Sequence, residues 1–168
     1  MDEPKSIEIL PIRDEDRTWI KDWLIDRWGD IQIVVHGTVY EADRLPGFVA
    51  RVRNEVVGLI TFYFQDHQCE VVSLDSLKVQ RGIGTALLQA VGLEAISAGC
   101  RRLWLVTTND NLDALRFFQR RGFVLCGLQP GAVDKARLIK PSIPLVGQNA
   151  IPIRDEIDLE IDPLRLVE

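Results

Sequence analysis

Hydrophobic positions in the first half of the chain predict one amphipathic helix and a set of strands. Apolar residues recur at three- and four-residue spacing from Asp14 or Asp16, either of which caps the start, to about Arg27, which is the period of a helix with one buried face. Runs of β-branched and aromatic residues predict strands at 7–12, 47–53, 56–64 and 68–79. Asn54-Glu55 joins two of these runs as a hairpin. The first half is therefore expected to be a helix followed by an antiparallel sheet.

The second half of the chain changes to alternating helices and strands. Its pattern predicts a helix at 84–97 that Gly99 ends, a buried strand at 102–108, a helix at 111–121 and a strand at 123–128. This order implies parallel pairing through right-handed crossovers. We therefore predict a single α/β domain over residues 1–168 with a mixed central sheet, antiparallel in its first half and parallel in its second, and helices on both faces. A doubly wound parallel sheet is the alternative, and the early hairpin argues against it.

Composition and charge narrow the class of protein. The 168 residues are 46% hydrophobic and 27% charged, as in globular proteins, and 20 basic against 25 acidic residues give a net charge of −5. This balance lacks the basic footprint of a nucleic-acid binder and suits a cationic or neutral substrate. The sequence has no apolar run of about 20 residues and no signal-peptide pattern at MDEPKSIEIL, so we expect a cytoplasmic protein without a membrane partner. His36 and His67 are the only histidines, and no paired spacing predicts a metal site.

A glycine-rich turn carries the clearest chemical signal. Residues 77–88 read LKVQRGIGTALL, a strand that passes through a Gly-x-Gly turn into the helix at 84–97. Glycines let the backbone approach a ligand, and the amides and dipole of a helix N-terminus favour an anion such as a pyrophosphate. A Walker A loop would need a lysine after Gly84, and a dinucleotide fingerprint would need glycine in place of Leu87. The turn alone is also compatible with a plain helix start.

A second motif makes the chain resemble the GNAT superfamily of N-acetyltransferases. Residues 111–123 read NLDALRFFQRRGF, which is similar to the family's N-x-x-A-x-x-F-[YF]-x-x-x-G-F helix, and residues 77–88 are similar to its L-x-V strand and pyrophosphate turn. The resemblance covers about residues 6–128. It implies an acetyl-CoA-dependent N-acetyltransferase that acts on a primary amine of a small molecule or peptide, and it leaves a homodimer open. A non-catalytic acyl-CoA sensor is the alternative, and a scaffold role is the third option.

The resemblance also assigns a coenzyme A site by position. It implies that main-chain groups of Leu77 and Val79 meet the pantetheine arm and that the turn holds the pyrophosphate. Asn111 would bind the coenzyme arm, cap a helix, or do both. The full set is Leu77, Val79, Gln80, Arg81, Gly82, Ile83, Gly84, Thr85, Asn111 and Phe118.

The chain departs from the family pattern in two places. The turn before Gly82 is shorter than is usual in the family. Phe118 stands where many members carry a tyrosine thought to protonate the leaving thiolate. Because a free thiol has a pKa of about 8.5, the thiolate can leave near neutral pH without that donor. The second departure therefore weakens one role without excluding catalysis.

Acyl transfer to an amine also requires a base and an oxyanion donor. The resemblance places the donor at a main-chain N–H near Val79. Asp75 is the first candidate base, because its even spacing from Leu77 and Val79 places it on their face of the strand, and Glu70 at the start of the strand is the second. A solvated carboxylate at the strand edge is the other interpretation of Asp75. His36 and Tyr40 are candidates for lining the acceptor site, or polar loop residues with no such role.

Residues 129–168 extend beyond the part of the chain that resembles the family. The segment is rich in proline and glycine, and the alternating run 157–161 predicts one final strand with its acidic residues outward. We expect the irregular part to be either a lid over the acceptor site or a packing strap, and we favour the strap.

Overall fold

The structure is a computed structural model that describes residues 6–77 and 82–168. The strands are β1 (Glu8–Pro11), β2 (Gln32–Val35), β3 (Thr38–Glu41), β4 (Gly47–Val52), β5 (Glu55–Gln65), β6 (Gln68–Ser76), β7 (Arg102–Thr108), β8 (Val124–Gln129) and β9 (Glu156–Ile161). The helices are α1 (Arg17–Trp28), α2 (Ile83–Ser97), α3 (Leu112–Gln119), α4 (Ala132–Ile139) and α5 (Pro163–Val167). No described helix has the length and apolar character needed to cross a membrane.

Seven strands form one mixed sheet, in the order β1-β4-β5-β6-β7-β9-β8. The pair β6–β7 is parallel, and the other neighbouring pairs of this sheet are antiparallel. This confirms the predicted mixed α/β fold. The second half differs in detail, because β9 inserts between β7 and β8 and runs antiparallel to both. β7 and β8 therefore point in the same direction, as the crossover rule predicts, but they are not neighbours.

Helices cover both faces of the sheet, as predicted. On one face α2, α3 and α5 pack over the larger core, where Leu87, Leu88 and Val91 of α2 have no exposed surface. On the other face α1 packs beside a hairpin of β2 and β3, the β2–β3 hairpin, around Ile20 and Leu24. His36 and Gly37 form the turn of this hairpin with φ values of 48° and 75°, a conformation that suits a tight two-residue turn.

The segment that follows β8 is an ordered part of the domain. Residues 141–155, which we call the strap, run from α4 to β9, and the guanidinium of Arg137 donates to the carbonyls of Ile143, Pro144 and Ile153. Asn109, just after β7, accepts hydrogen bonds from the amides of Arg154 and Asp155. These hydrogen bonds therefore hold the strap against the end of β7.

The expectation that the acidic residues of the run 157–161 face outward is wrong for Asp158, which is 8% exposed because the β2–β3 hairpin covers it. Glu156, at the start of β9 on the same face, is 4% exposed. Glu160, at the other end of that face, is half-buried. The alternation of β9 is as predicted.

Candidate active site

The parallel strands β6 and β7 separate partway along their length. They pair only between residues 68–71 and 102–105, whereas β6 continues to Ser76 and β7 to Thr108. Val72 is an extra residue in β6, because Thr61 pairs with Ser73 and Phe62 pairs with Val71. Such a bulge bends a strand and increases its twist. It lies where β6 leaves β7, so the two strands border an open cleft at their carboxyl ends.

Main-chain groups of β6 line this cleft. The N–H of Leu77 donates to the carbonyl of Val57 at 2.8 Å, so it is already engaged with β5. Because hydrogen-bonding groups alternate between the two edges of a strand, those of Leu74 and Ser76 face the open edge. A pantetheine arm would therefore meet Leu74 and Ser76 more directly than the N–H of Leu77. Val79, Gln80 and Arg81, and the predicted oxyanion donor near Val79, lie outside the described residues.

The N-terminus of α2 has no side-chain cap from its N-cap residue Gly82. Gly82 precedes the helix with φ of 71°, and it supplies no side chain to cap Ile83, Gly84 or Thr85. Arg121 extends from the end of α3 and donates from Nε to Thr85 Oγ1 at 2.9 Å. Helix amides together with a guanidinium form a suitable cradle for a phosphate. Arg121 belongs to the 111–123 motif, but the motif alone gave no reason to place it beside Thr85.

Gly82 and Gly84 are each favoured at their position for a different structural reason. A Cβ at Gly84 would lie 2.8 Å from Cζ of Phe117, so glycine at this position lets α2 pack closely against α3. A Cβ at Gly82 would meet nothing within 4 Å, but the positive φ favours glycine there. Close packing, and not only approach to a ligand, therefore explains Gly84.

Asn111 and Phe118 have structural roles in α3. Oδ1 of Asn111 accepts a hydrogen bond from the amide of Ala114 at 3.1 Å, which makes Asn111 the N-cap, so a coenzyme contact would use its Nδ2. Phe118 is 6% exposed and packs edge-on against Phe117 and Phe123. Its ring therefore belongs to the core.

Both carboxylate oxygens of Asp75 contact side chains of α1. Its Oδ2 accepts a hydrogen bond from Nε1 of Trp28 at 2.5 Å, and its Oδ1 lies 3.7 Å from Nε of Arg27. Burial raises the pKa of Asp75, while the Trp28 hydrogen bond and the Arg27 charge lower it. The bulge at Val72 changes the alternation of β6, so Asp75 pairs opposite Leu59 and faces α1. Both of its oxygens serve to hold α1 on the sheet.

Glu70 lies next to Val71, the last residue of β6 that pairs with β7. Its side chain is buried, with the residue 4% exposed, and Oε2 accepts a hydrogen bond from the hydroxyl of Tyr40 at 2.6 Å. Oε1 is also buried and has no partner among the described residues. Burial raises the pKa of Glu70, the Tyr40 bond and the His36 charge lower it, and the charges of Asp158 and Glu156 raise it further.

A cavity opens beside Glu70. It has a volume of about 230 Å³ and is lined by Tyr63, Gln65, Asp66, Gln68, Glu70 and Trp104. Tyr40 is not one of these lining residues, but its ring lies 5.5 Å from the ring of Tyr63 and its hydroxyl contacts Glu70. Glu70 therefore has one oxygen held by Tyr40 and lines a space in which an acceptor could bind.

His36 joins this site from the β2–β3 hairpin. Its Nε2 lies 2.8 Å from Oδ1 of Asp158 and 3.6 Å from Oε2 of Glu156, and its main-chain N–H donates to Glu156. Its ring lies 5.6 Å from the ring of Trp104. The structure thus brings His36, Tyr40 and Glu70 together with Asp158, which the sequence predicts to face outward, and with Glu156. Across residues 6–77 and 82–168, no three His, Cys, Asp or Glu side chains are arranged to hold a metal ion.

Comparison with known proteins identifies the fold and the cosubstrate. The family model described as Acetyltransferase (GNAT) family matches residues 8–123. The chain belongs to the GNAT acetyltransferase family. Like other GNAT acetyltransferases, it uses acetyl-CoA as its cosubstrate.

Relatives and solved structures agree with this membership. The chain is 41% identical over 150 residues to YdhI of Bacillus subtilis (strain 168), an uncharacterized protein, covering 89% of this chain and 94% of YdhI. A GNAT family acetyltransferase from Elizabethkingia anophelis with acetyl-CoA bound has a TM-score of 0.65 at 22% identity, over 95% of this chain and 99% of the other. A Bacillus subtilis acetyltransferase in complex with CoA has a TM-score of 0.64 at 16% identity, over 93% and 97%. Both structures share the fold.

Proposed function

We propose that this GNAT acetyltransferase is an N-acetyltransferase that transfers the acetyl group of acetyl-CoA to a primary amine, with Glu70 as the general base. The observation that carries the proposal is the position of Glu70. This buried carboxylate lies next to Val71, where the pairing of β6 with β7 ends, and it lines a cavity that extends toward the turn between β5 and β6. Its Oε1 has no partner among the described residues. A carboxylate in this position can accept a proton from an amine in the cavity.

The raised pKa of Glu70 makes it suitable for this role. A base is most effective when its pKa lies closer to the working pH than that of an ordinary carboxylate, and burial moves Glu70 in that direction. Glu70 takes a proton from the ammonium, the amine nitrogen forms a bond to the thioester carbon, and the carbon–sulfur bond then breaks. The electron pair of that bond leaves with the thiolate, and the second proton of the attacking nitrogen passes to the departing sulfur to give the CoA thiol and a neutral amide. This step needs no hydroxyl at position 118, because a thiol has a pKa of about 8.5 and the thiolate can leave before it is protonated.

Main-chain groups of β6 support the negative charge that develops on the carbonyl oxygen. The N–H groups of Leu74 and Ser76 face the edge of β6 that β7 leaves open, and fixed amides at such an edge can donate to an oxyanion. Asp75 receives no catalytic part in this proposal, because α1 engages both of its oxygens.

A pair of carboxamide variants tests the proposal. Release of thiol from acetyl-CoA is measured against a panel of amines, polyamines, aminoglycosides and peptide N-termini, and the best acceptor is kept. Glu70→Gln is expected to lower kcat by about 100-fold or more, because it cannot accept a proton, and to leave acetyl-CoA affinity unchanged. Asp75→Asn is the matched control from the same strand, and it should keep kcat near wild type while lowering the melting temperature.

Two results would contradict the proposal. If Asp75→Asn abolished turnover while Glu70→Gln retained it, the base would be Asp75. If the protein bound acetyl-CoA tightly in calorimetry but released no thiol across the panel, it would be a non-catalytic acyl-CoA sensor.

A further inference from the structure

We infer that Tyr63 of β5 selects the acceptor, and that its ring binds the charged end of an alkylammonium beside Glu70. The inference rests on the proposed function and adds two things to it, a residue that determines specificity and the charge that the acceptor carries when it binds. Its starting point is the row of side chains across β5, β6 and β7 in which Glu70 stands.

Glu70 lies between two aromatic residues of the neighbouring strands. Tyr63 of β5 is its direct partner on one side, and Trp104 of β7 is its direct partner on the other. Direct partners on neighbouring strands share a face of the sheet and lie about 5 Å apart. All three residues line the same cavity. A group that reaches Glu70 through this cavity therefore passes an aromatic side chain.

Tyr63 is the aromatic residue of this row with the more open ring. The guanidinium carbon of Arg102 lies 4.9 Å from the centre of the Trp104 ring, and the ring of His36 lies 5.6 Å from it, so Trp104 already packs against two basic side chains. Tyr63 packs against the ring of Tyr40 and still keeps 40% of its surface exposed. The ring of Tyr63 therefore has surface left for a ligand.

The unpartnered oxygen of Glu70 is a second observation that points to a ligand in this row. Oε1 is buried and has no partner among the described residues. A buried charged oxygen left in this state costs stability unless a partner binds. Because Tyr63 is the direct neighbour of Glu70, a ligand group that reaches this oxygen also comes within reach of the Tyr63 ring.

A cation is the group that a carboxylate and an aromatic ring both attract. The carboxylate attracts it by charge, and the ring attracts a cation that lies within about 6 Å of its centre. The charged residues that line the cavity, Asp66 and Glu70, are both acidic. The methylene groups next to an ammonium nitrogen can pack on the ring as well. These properties together favour an alkylammonium over a neutral or anionic acceptor.

Substitutions of Tyr63 test its role in binding the acceptor. Tyr63→Leu is expected to raise KM for the best alkylamine of the panel by about fivefold or more, because it removes the ring, and to change kcat little. Tyr63→Phe keeps the ring and should keep KM within about twofold of wild type. If Tyr63→Leu does not fold, Tyr63→Thr replaces it, because a β-branched residue suits a strand. A wild-type KM in the variant without the ring would overturn the inference.

Two alcohols of nearly equal shape test the charge. Choline and 3,3-dimethylbutan-1-ol differ in a quaternary nitrogen against a carbon, and neither has an N–H that could be acetylated. Each is titrated into the full-length protein by calorimetry in the presence of CoA, so binding is measured without turnover. We expect choline to bind at least about fivefold more tightly, and we expect Tyr63→Leu to reduce this preference while Tyr63→Phe retains it.

The same titrations separate failure of this inference from failure of the proposed function. A preference for choline that depends on the ring of Tyr63 supports the inference even if Glu70→Gln stays active or no thiol release is detected. Equal binding of the two alcohols, or a preference that Tyr63→Leu leaves unchanged, would overturn the inference and leave N-acetylation intact. Absence of choline binding would overturn it as well.

Discussion

Glu70 and Tyr40 form the central pair of side chains in the proposed active site. Tyr40 donates to Oε2 of Glu70, and this hydrogen bond favours the charged carboxylate that burial disfavours. Burial and the bond to Glu70 in turn raise the pKa of Tyr40, so the hydroxyl stays protonated and remains a donor. In the proposed mechanism Tyr40 is thus a positioning residue, and its hydrogen bond lowers the pKa of Glu70.

Tyr40→Phe is expected to move the acid limb of the kcat profile to higher pH. Without the hydrogen bond the charged form of Glu70 is less stable, so its pKa rises further and activity is lost earlier as the pH falls. The plateau at high pH should change little, because the base is still present. Tyr63→Phe is the control, since it removes a hydroxyl from the same cavity but none that bonds to Glu70. An unchanged acid limb in Tyr40→Phe would mean that the limb belongs to another group.

At the scale of single elements, the coenzyme site depends on how α2 packs against α3. Gly84 lets the ring of Phe117 lie close to α2, and the guanidinium of Arg121 stacks 3.5 Å from the centre of that ring. Arg121 then reaches Thr85 in the first turn of α2. The packing of two helices therefore positions a cation at the site that the sequence predicts for a pyrophosphate.

Arg121→Ala is expected to weaken acetyl-CoA binding by about tenfold, because one charge-assisted contact to phosphate is lost. The value of kcat at saturating acetyl-CoA should stay near wild type, because Arg121 contacts Thr85 at the predicted pyrophosphate site and not Glu70, the proposed base. Arg116→Ala, on the exposed side of α3, is the control and should leave the affinity unchanged. Isothermal titration with acetyl-CoA measures the effect, and equal affinities for the two variants would remove Arg121 from the site.

Most elements could be predicted from the sequence because their signals are local. The strand Arg102–Thr108 and the helix of the Gly-x-Gly turn follow from continuous apolar periodicity, and the structure has them at nearly the predicted residues. The face of Asp75 relative to Glu70 could not be predicted from alternation, because Val72 adds one residue to β6 between them and places both carboxylates on the same face. The contacts of Asp75 with Trp28 and Arg27 could not be predicted either, because they depend on how α1 packs on the sheet.

Burial of polar residues could not be predicted because it depends on distant parts of the chain. Alternation shows that Glu156 and Asp158 share a face of β9, but not whether water reaches that face. The β2–β3 hairpin covers it, and His36 at the hairpin turn contacts both carboxylates. The sequence does nominate His36, Tyr40 and Glu70 individually, whereas only the tertiary fold brings them together.

At the scale of the whole molecule, the segment after β8 completes the sheet. Leu159 and Ile161 of β9 are buried in the larger core, and Leu166 of α5 packs against Gly92 of α2. The residues that carry the family motifs therefore lack a central strand without this segment. β9 and α5 therefore share one sheet and one core with the elements that carry the two family motifs, and the strap bonds to Asn109 at the end of β7.

A shortened chain that ends at Gln129 is expected to lack cooperative unfolding, although it retains both family motifs. β7 and β8 would each lose the strand that separates them, and the core would lose several buried side chains. Far-UV circular dichroism with thermal melting measures the effect. Full-length Leu159→Ala is a milder companion and should lower the free energy of unfolding by about 2 to 5 kcal/mol. A cooperative melt of the shortened chain near the wild-type temperature would show that β9 is dispensable.

The position of β9 also means that the central sheet can be completed only late in translation, after β9 has been synthesised. β7 and β8 are translated before β9, yet they become part of one sheet only after β9 has been added between them. Until then the edge of β8 that pairs with β9 has no partner strand, and an open strand edge favours association with other chains. Pairing between segments far apart in sequence is slow to form. The nascent chain therefore passes through an interval in which both family motifs have been synthesised but β8 still has an open edge.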